Sequence, residues 1–120
     1  MEITLEPTEP NWLTEMLEVI IRKNLKDSTL SEDVRGWKFC AGVTETESEV
    51  SSTLGFRKGE IVLRNGEPTE ASVEIKADIK TLNNIKQGGL LIGLKELLKG
   101  NLEKKGSFSD LLKLQKVLSS

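Results

Sequence analysis

Hydrophobic and polar positions along the chain change period twice, from helical to alternating and back. Trp12, Leu13, Met16, Leu17, Ile20 and Ile21 recur at the three-and-four spacing of one helical face, with Glu15, Glu18, Arg22 and Lys23 elsewhere. Thr8 is placed to cap this helix and Pro10 to sit in its first turn, and the helix is expected to end near Leu25–Asp27. Ser28 to Gly36 reads as a connection with room for one helical turn. From Trp37 the period falls to two. Trp37, Phe39, Ala41 and Val43 alternate with Lys38, Cys40, Gly42 and Thr44, the signature of a half-buried strand. A polar loop with Glu45, Glu47 and Glu49 follows, then a second alternation through Val50, Ser52, Leu54 and Phe56. Residues 57–60 turn into a third strand at Ile61-Val62-Leu63. Asn65-Gly66 signals a turn, and Pro68 forbids the ladder from continuing. Val73, Ile75 and Ala77 mark a fourth strand with one wet face.

After Ala77 the helical period returns. Asp78 can cap a short helix carrying Ile79, Leu82 and Ile85, which Gly88-Gly89 is expected to stop. Leu90, Leu91, Leu94, Leu97 and Leu98 form a wide apolar arc ending at Gly100, and Asn101 to Lys105 is long enough for one more strand. Ser107, with Asp110 three residues on, opens a last helix bearing Phe108, Leu111, Leu112, Leu114, Val117 and Leu118. Residues 1–8 are expected as a flexible tail and 9–120 as one α+β domain, helices covering a mainly antiparallel sheet.

Composition narrows the function. At 120 residues, 37% hydrophobic and 30% charged, the chain can bury a core without staples. Seventeen basic against nineteen acidic side chains leave −2, which offers nothing to a phosphate backbone, and five aromatics make no stacking platform; nucleic acid is not an expected partner. No histidine is present, which excludes His-based triads and His-ligated zinc. Cys40 is alone and sits in an apolar-rich run, so it is expected as an inert thiol rather than a metal ligand. Without histidine or tyrosine the remaining nucleophiles have no evident base, so no catalytic residue, cofactor or metal is expected. The acidic start, broken by Pro7 and Pro10, does not read as a signal peptide, so the expected location is the cytoplasm.

Three features could carry chemistry. Glu45, Glu47 and Glu49 lack the spacing of a calcium loop and read as a solvated hairpin tip. Gly88-Gly89 precedes Leu90-Leu91-Ile92 rather than a Lys-Ser or Lys-Thr pair, so a nucleotide loop is not indicated. The third is leucine density, since eleven of eighteen leucines lie from Leu82 onward. Such helices across a sheet can leave a gap that accepts an apolar ligand, although the same leucines also serve as plain core. Gln115 falls inside the arc of Phe108, Leu111, Leu112 and Leu118, where a buried amide needs a partner. Ile92, among Lys95, Glu96 and Lys99, could touch a membrane transiently, although isolated surface isoleucines are common.

The stretch from Ala77 to Ser120 resembles the sterol carrier protein type two domain family. The resemblance is carried by the short helix Asp78 to Gly88 after a strand, the Leu-rich helix that follows, Gly100-Asn101-Leu102-Glu103-Lys104-Lys105-Gly106, and Lys113-Leu114-Gln115-Lys116 before Val117-Leu118. It implies a stand-alone member of the family, with five strands, helices on one face, and an apolar tunnel between them. Members bind fatty acids, acyl-CoA esters, sterols or other lipids, and some serve as lipid-holding modules on enzymes. Lys104 departs from the pattern, standing where an inward apolar residue belongs, so that strand is expected to be frayed, shifted or more solvated. The peroxisomal terminus of the eukaryotic carriers is missing too. The expected function is a small non-enzymatic lipid carrier, monomeric or homodimeric. Its acyl or isoprenoid-type ligand would lie against Leu91, Leu94, Leu98, Phe108, Leu111, Leu112 and Leu118, with Gln115 at a polar spot and the last helix as gate. The alternative is a ligand-free interaction or oligomerisation module, including an accessory subunit of a lipid-metabolising enzyme.

Overall fold

The computed structural model describes residues 2–6 and 9–119, and for 88–94 and 96–98 the backbone alone. Six strands form one sheet: β1 (Glu2–Leu5), β2 (Phe39–Glu45), β3 (Ser51–Arg57), β4 (Glu60–Asn65), β5 (Val73–Ala77) and β6 (Glu103–Gly106). Their order across the sheet is β1-β4-β3-β2-β5-β6. The pairs β1–β4 and β2–β5 are parallel, and the other three are antiparallel. The expected five-stranded, mainly antiparallel sheet is thus corrected to six strands with mixed pairing. The additional strand is β1, inside the stretch expected as a tail, where Ile3 and Leu5 pack against the core beside Ile61 and Leu63. Two apolar residues ahead of Pro7 are too short a run to announce a strand by themselves; β4 supplies the partner.

Four helices, α1 (Trp12–Asn24), α2 (Ser28–Arg35), α3 (Ile79–Leu98) and α4 (Phe108–Leu118), accompany the sheet. The cap of α1 is Asn11 rather than Thr8; its side-chain oxygen accepts from the Thr14 N–H at 2.8 Å. Residues 28–35, expected as a connection, form two helical turns because Asp27 accepts from the N–H groups of Thr29 and Leu30. Val34 of that helix is buried. Asp78 caps α3 as expected, accepting from the Thr81 N–H at 2.7 Å. Gly88-Gly89 does not stop α3, which runs unbroken to Leu98. Glycine weakens a helix by about 1 kcal/mol relative to alanine but keeps its N–H, and strong helix formers flank this pair. Gly100, with φ of 80°, lies just beyond its end. Ser107 caps α4 through the Asp110 N–H.

One sheet face carries the core. Ala41, Val43, Leu54, Phe56, Ile61, Leu63, Val73 and Ile75 point toward the helices and are at most 3% exposed. Helix α1 lies on β3 and β4, and α4 on β5 and β2, with α3 alongside α4. At one end of β2, Trp37, Phe39 and Phe56 pack as a triad, with Phe39 and Phe56 stacked at 4.6 Å. The Lys113 ammonium of α4 stands over the Phe39 ring at 5.8 Å. Across the other face runs the 66–72 segment, which joins β4 to β5. The Thr53 hydroxyl donates to the Gly66 carbonyl, Pro68 sits over Gly42, and the Ser72 N–H donates to the Cys40 carbonyl. A Cβ at Gly42 would meet the Pro68 ring at 2.9 Å, so the strap requires glycine there.

Candidate functional site

Two apolar gaps open where α1, α3 and α4 meet the sheet. One lies between Ile75 of β5, Ile85 of α3, Leu102, and Leu111, Leu114, Gln115 and Leu118 of α4, with a volume of about 10 Å³. The second lies between Met16, Leu17 and Ile20 of α1, Val43 and Ile75 of the sheet, Leu82, Ile85 and Lys86 of α3, and Leu118, with about 20 Å³. Ile75, Ile85 and Leu118 are walls of both, so the gaps are neighbouring parts of one seam. A single water needs roughly 10–15 Å³, and apolar voids of that size stay dry. Among the described residues the walls of the seam are therefore nearly shut.

Of the residues expected to line a tunnel, Leu111, Gln115 and Leu118 do face the seam. Leu112 is half-buried and lines neither gap, and Phe108 is 45% exposed at the start of α4, with the Lys104 ammonium 5.6 Å from its ring centroid. The side chains of Leu91, Leu94 and Leu98, and of Ile92, lie outside the described residues. Ile75, Ile85, Leu102 and Leu114 are walls that sequence reasoning left out. Their signals were present: Ile75 is an inward position of an alternating strand, and Leu102 and Leu114 belong to the motifs that carried the family resemblance. Lys104 does not fray β6. It pairs in register opposite Ile75 and lays its stem toward Phe108, so its charge reaches the surface.

The two helices over the seam are held differently. The start of α1 is pinned to β3 and β4. Asn11 donates to the Ser51 carbonyl, the Asn11 N–H to Asn65 Oδ1, and the Thr14 and Ser52 hydroxyls bond at 2.8 Å with both residues fully buried. At the far end of α4, Asn24 Nδ2 of α1 donates to the Val117 carbonyl at 2.8 Å. The other end of α4 begins at Gly106, with φ of 102°, followed by a Ser107 N–H bond to the Ser72 carbonyl. Gln115 is buried and partnered, and among the described residues no buried side-chain polar atom lacks a hydrogen bond.

The remaining candidates fall into structural roles. Glu45, expected at a solvated loop tip, is 3% exposed, and its carboxylate accepts from the Glu47 and Ser48 N–H groups. Those bonds hold its pKa below the usual value, and the Thr81 N–H does the same for Asp78. Cys40 is half-buried on the strap side of the sheet, and burial pushes its thiol pKa up, toward the less reactive form. A groove of about 330 Å³ on that side is lined by Glu67, Glu74, Lys76, Glu103, Lys104 and Lys105, a balanced polar set unlike the seam. Among the described residues no three His, Cys, Asp or Glu side chains gather as a metal site, and no helix is long and apolar enough to cross a membrane.

No protein-family model and no curated protein matches this chain. Solved structures do. UbiJ-SCP2, a ubiquinone synthesis protein, superposes with a TM-score of 0.72 at 15% identity, over 88% of this chain and 92% of that one. A sterol carrier protein 2 superposes at 0.61 and 20% identity, over 85% and 89%. The apo sterol carrier protein 2 of Yarrowia lipolytica superposes at 0.61 and 14% identity, over 92% and 93%. At such identities the likeness is one of fold.

Proposed function

We propose that this chain, which has the fold of sterol carrier protein 2, is a lipid-binding protein that takes an apolar chain into the seam beneath α4. The observation that carries the reading is the seam itself. It is a continuous apolar boundary between sheet and helices, walled mainly by Ile, Leu, Val and Met, with one buried amide, Gln115. Its closed state calls for a gate, and α4 is the element suited to that role. Fully exposing Leu111, Leu114, Val117 and Leu118 would cost roughly 6–12 kcal/mol. An alkyl chain of about fifteen methylenes gains about 12 kcal/mol on burial, so a ligand that replaces these contacts as they part can balance the opening. The role assigned is holding and carrying, with no bond made or broken.

Native mass spectrometry of the purified chain, followed by solvent extraction, tests this directly. A near-stoichiometric co-purifying lipid, or saturable uptake of a fluorescent C16 fatty acid by the delipidated chain, is the expected result. A chain that carries no lipid and takes up none would sink the reading. The second reading, an accessory module of a lipid-metabolising enzyme, draws on the likeness to UbiJ-SCP2 and on the small volume of the seam. A ligand-free oligomer in the same experiment would favour it.

A further inference from the structure

Strand β4 ends in Asn65, an exposed residue, and Gly66 follows with φ of 90°; this is the only Asn-Gly pair in the chain. We propose that Asn65 is a site of spontaneous deamidation, held off while residues 9–11 are docked on it, and that the reaction turns a transient release of the start of α1 into a permanent one. This holds whatever the seam binds.

The chemistry needs no reactant but water. The Gly66 nitrogen attacks the side-chain Cγ of Asn65. A C–N bond forms, the Cγ–Nδ2 bond breaks, and ammonia leaves with the proton given up by the Gly66 N–H. Water then opens the five-membered imide at either carbonyl, which gives aspartate or the isomer whose backbone runs through the side-chain carboxyl. A following glycine favours the first step because it has no Cβ to crowd the nitrogen. At Gly66 nothing lies within 4 Å of the place a Cβ would take, so the ring has room to form.

Three hydrogen bonds oppose that attack, and two of them come from the segment ahead of α1. The Gly66 N–H donates to the Ser51 carbonyl at 2.9 Å, so the nucleophile is engaged. Asn65 Oδ1 accepts from the Asn11 N–H at 2.8 Å and Asn65 Nδ2 donates to the Glu9 carbonyl at 3.0 Å, so the amide is fixed at both ends. Asn11 in turn donates its Nδ2 to the Ser51 carbonyl while its Oδ1 caps α1. Undocking residues 9–11 therefore frees the Asn65 amide to turn toward the Gly66 nitrogen. The products cannot restore the tie. Aspartate sets an oxygen against the Glu9 carbonyl where Nδ2 stood. The isomer also adds a methylene to the backbone opposite Ser52, whose hydroxyl holds Thr14 of α1. The helix that supplies Met16, Leu17 and Ile20 to the seam is left with a looser start.

The test incubates the full chain in mildly alkaline buffer and follows residue 65 by peptide mass mapping, which separates amide, aspartate and isomer. The native chain should convert more slowly than the same chain unfolded in urea. Asn11→Ala removes the α1 cap and the side-chain bond to Ser51, and should speed conversion about 5- to 30-fold, the factor by which such losses raise an open population. Asp27→Ala removes the cap of α2 instead and should leave the rate within about twofold of native, because α2 does not touch Asn65. Equal acceleration by both variants would mean that Asn65 reacts only from the unfolded chain. An amide still intact in Asn11→Ala after the urea sample has converted would mean that residues 9–11 do not guard it. Either result overturns the proposal. Chain carrying the isomer, isolated by its added negative charge, should exchange the amides of the first two turns of α1 at least about fivefold faster, with β2 and β3 changed much less. Unchanged exchange there would overturn the permanent release.

Discussion

Asn24→Leu is the substitution that most directly probes whether α4 moves on its own. The change removes the Nδ2 donor to the Val117 carbonyl while keeping a side chain of similar size. Val117 is 0% exposed, so its carbonyl gains little solvent in exchange. A typical hydrogen bond contributes about 1 kcal/mol net, and leaving a buried acceptor unmet costs about 1–3 kcal/mol. If α4 opens as a unit hinged near Gly106, that bond breaks in the open state of the native chain anyway. The variant then lowers the opening free energy by about 1–2 kcal/mol, which raises the open population roughly 5- to 30-fold. Native-state hydrogen exchange read by mass spectrometry should show amides at 111–118 exchanging faster by that factor, with the β2–β4 ladder changed much less. Stopped-flow uptake of a fluorescent fatty acid should accelerate in step. The control is Thr14→Val, which breaks the Thr14–Ser52 pair at the pinned end of α1 and should leave α4 exchange no faster than the sheet. If Asn24→Leu raised exchange equally in every element, α4 would open only by global unfolding, and the gate would be wrong.

Other perturbations separate wall, hinge and fold. Leu114→Ala removes a 0%-exposed wall of the seam and should lower stability by about 2–5 kcal/mol in chemical denaturation, with bound lipid restoring part of the loss. Gly106→Ala forces an L residue to φ of 102° and drives its Cβ into the Ser72 carbonyl; a loss of more than about 2 kcal/mol is expected, and a neutral result would place the root of α4 elsewhere. Glu45 and Asp78 have folded pKa values below their unfolded ones. The stability they lend is therefore present above about pH 4.5 and is lost as pH falls through the folded values, because the unfolded chain takes up protons first. Glu45→Gln should flatten that acid limb in urea melts taken from pH 6 to pH 3.

Which parts of this fold were visible beforehand follows from what each signal needs. Helices α1 and α4 each carry several apolar positions on one arc, so the period identifies them without tertiary help. Helix α2 shows only Leu30 and Val34 at that spacing, too few to separate a helix from a turn. The cap of α1 depended on which of two polar residues faced Ser51 and Asn65, a long-range fact that made it Asn11 rather than Thr8. Strand alternation placed β2 through β5, but pairing order is set by the strap over Gly42 and by β1 reaching β4, neither of which is local. For the candidate site, the arc of α4 supplies Leu111, Gln115 and Leu118 to the seam, while Phe108 of the same arc lies exposed. The floor at Ile75 and the end at Leu102 emerge only once β5 and β6 are paired.

The aromatic triad has a spectroscopic consequence. The chain has no tyrosine and two tryptophans, Trp12 at 40% exposure and Trp37 at 8%, so its near-ultraviolet emission comes from one wet indole and one dry one. Trp37 leans on Phe39, whose far side faces Lys113 of α4. A Trp12→Phe chain would therefore fluoresce from a single buried indole one ring away from α4. Lifting α4 would let water and the departing ammonium alter that ring's surroundings, and the emission maximum would shift to the red without any dye attached.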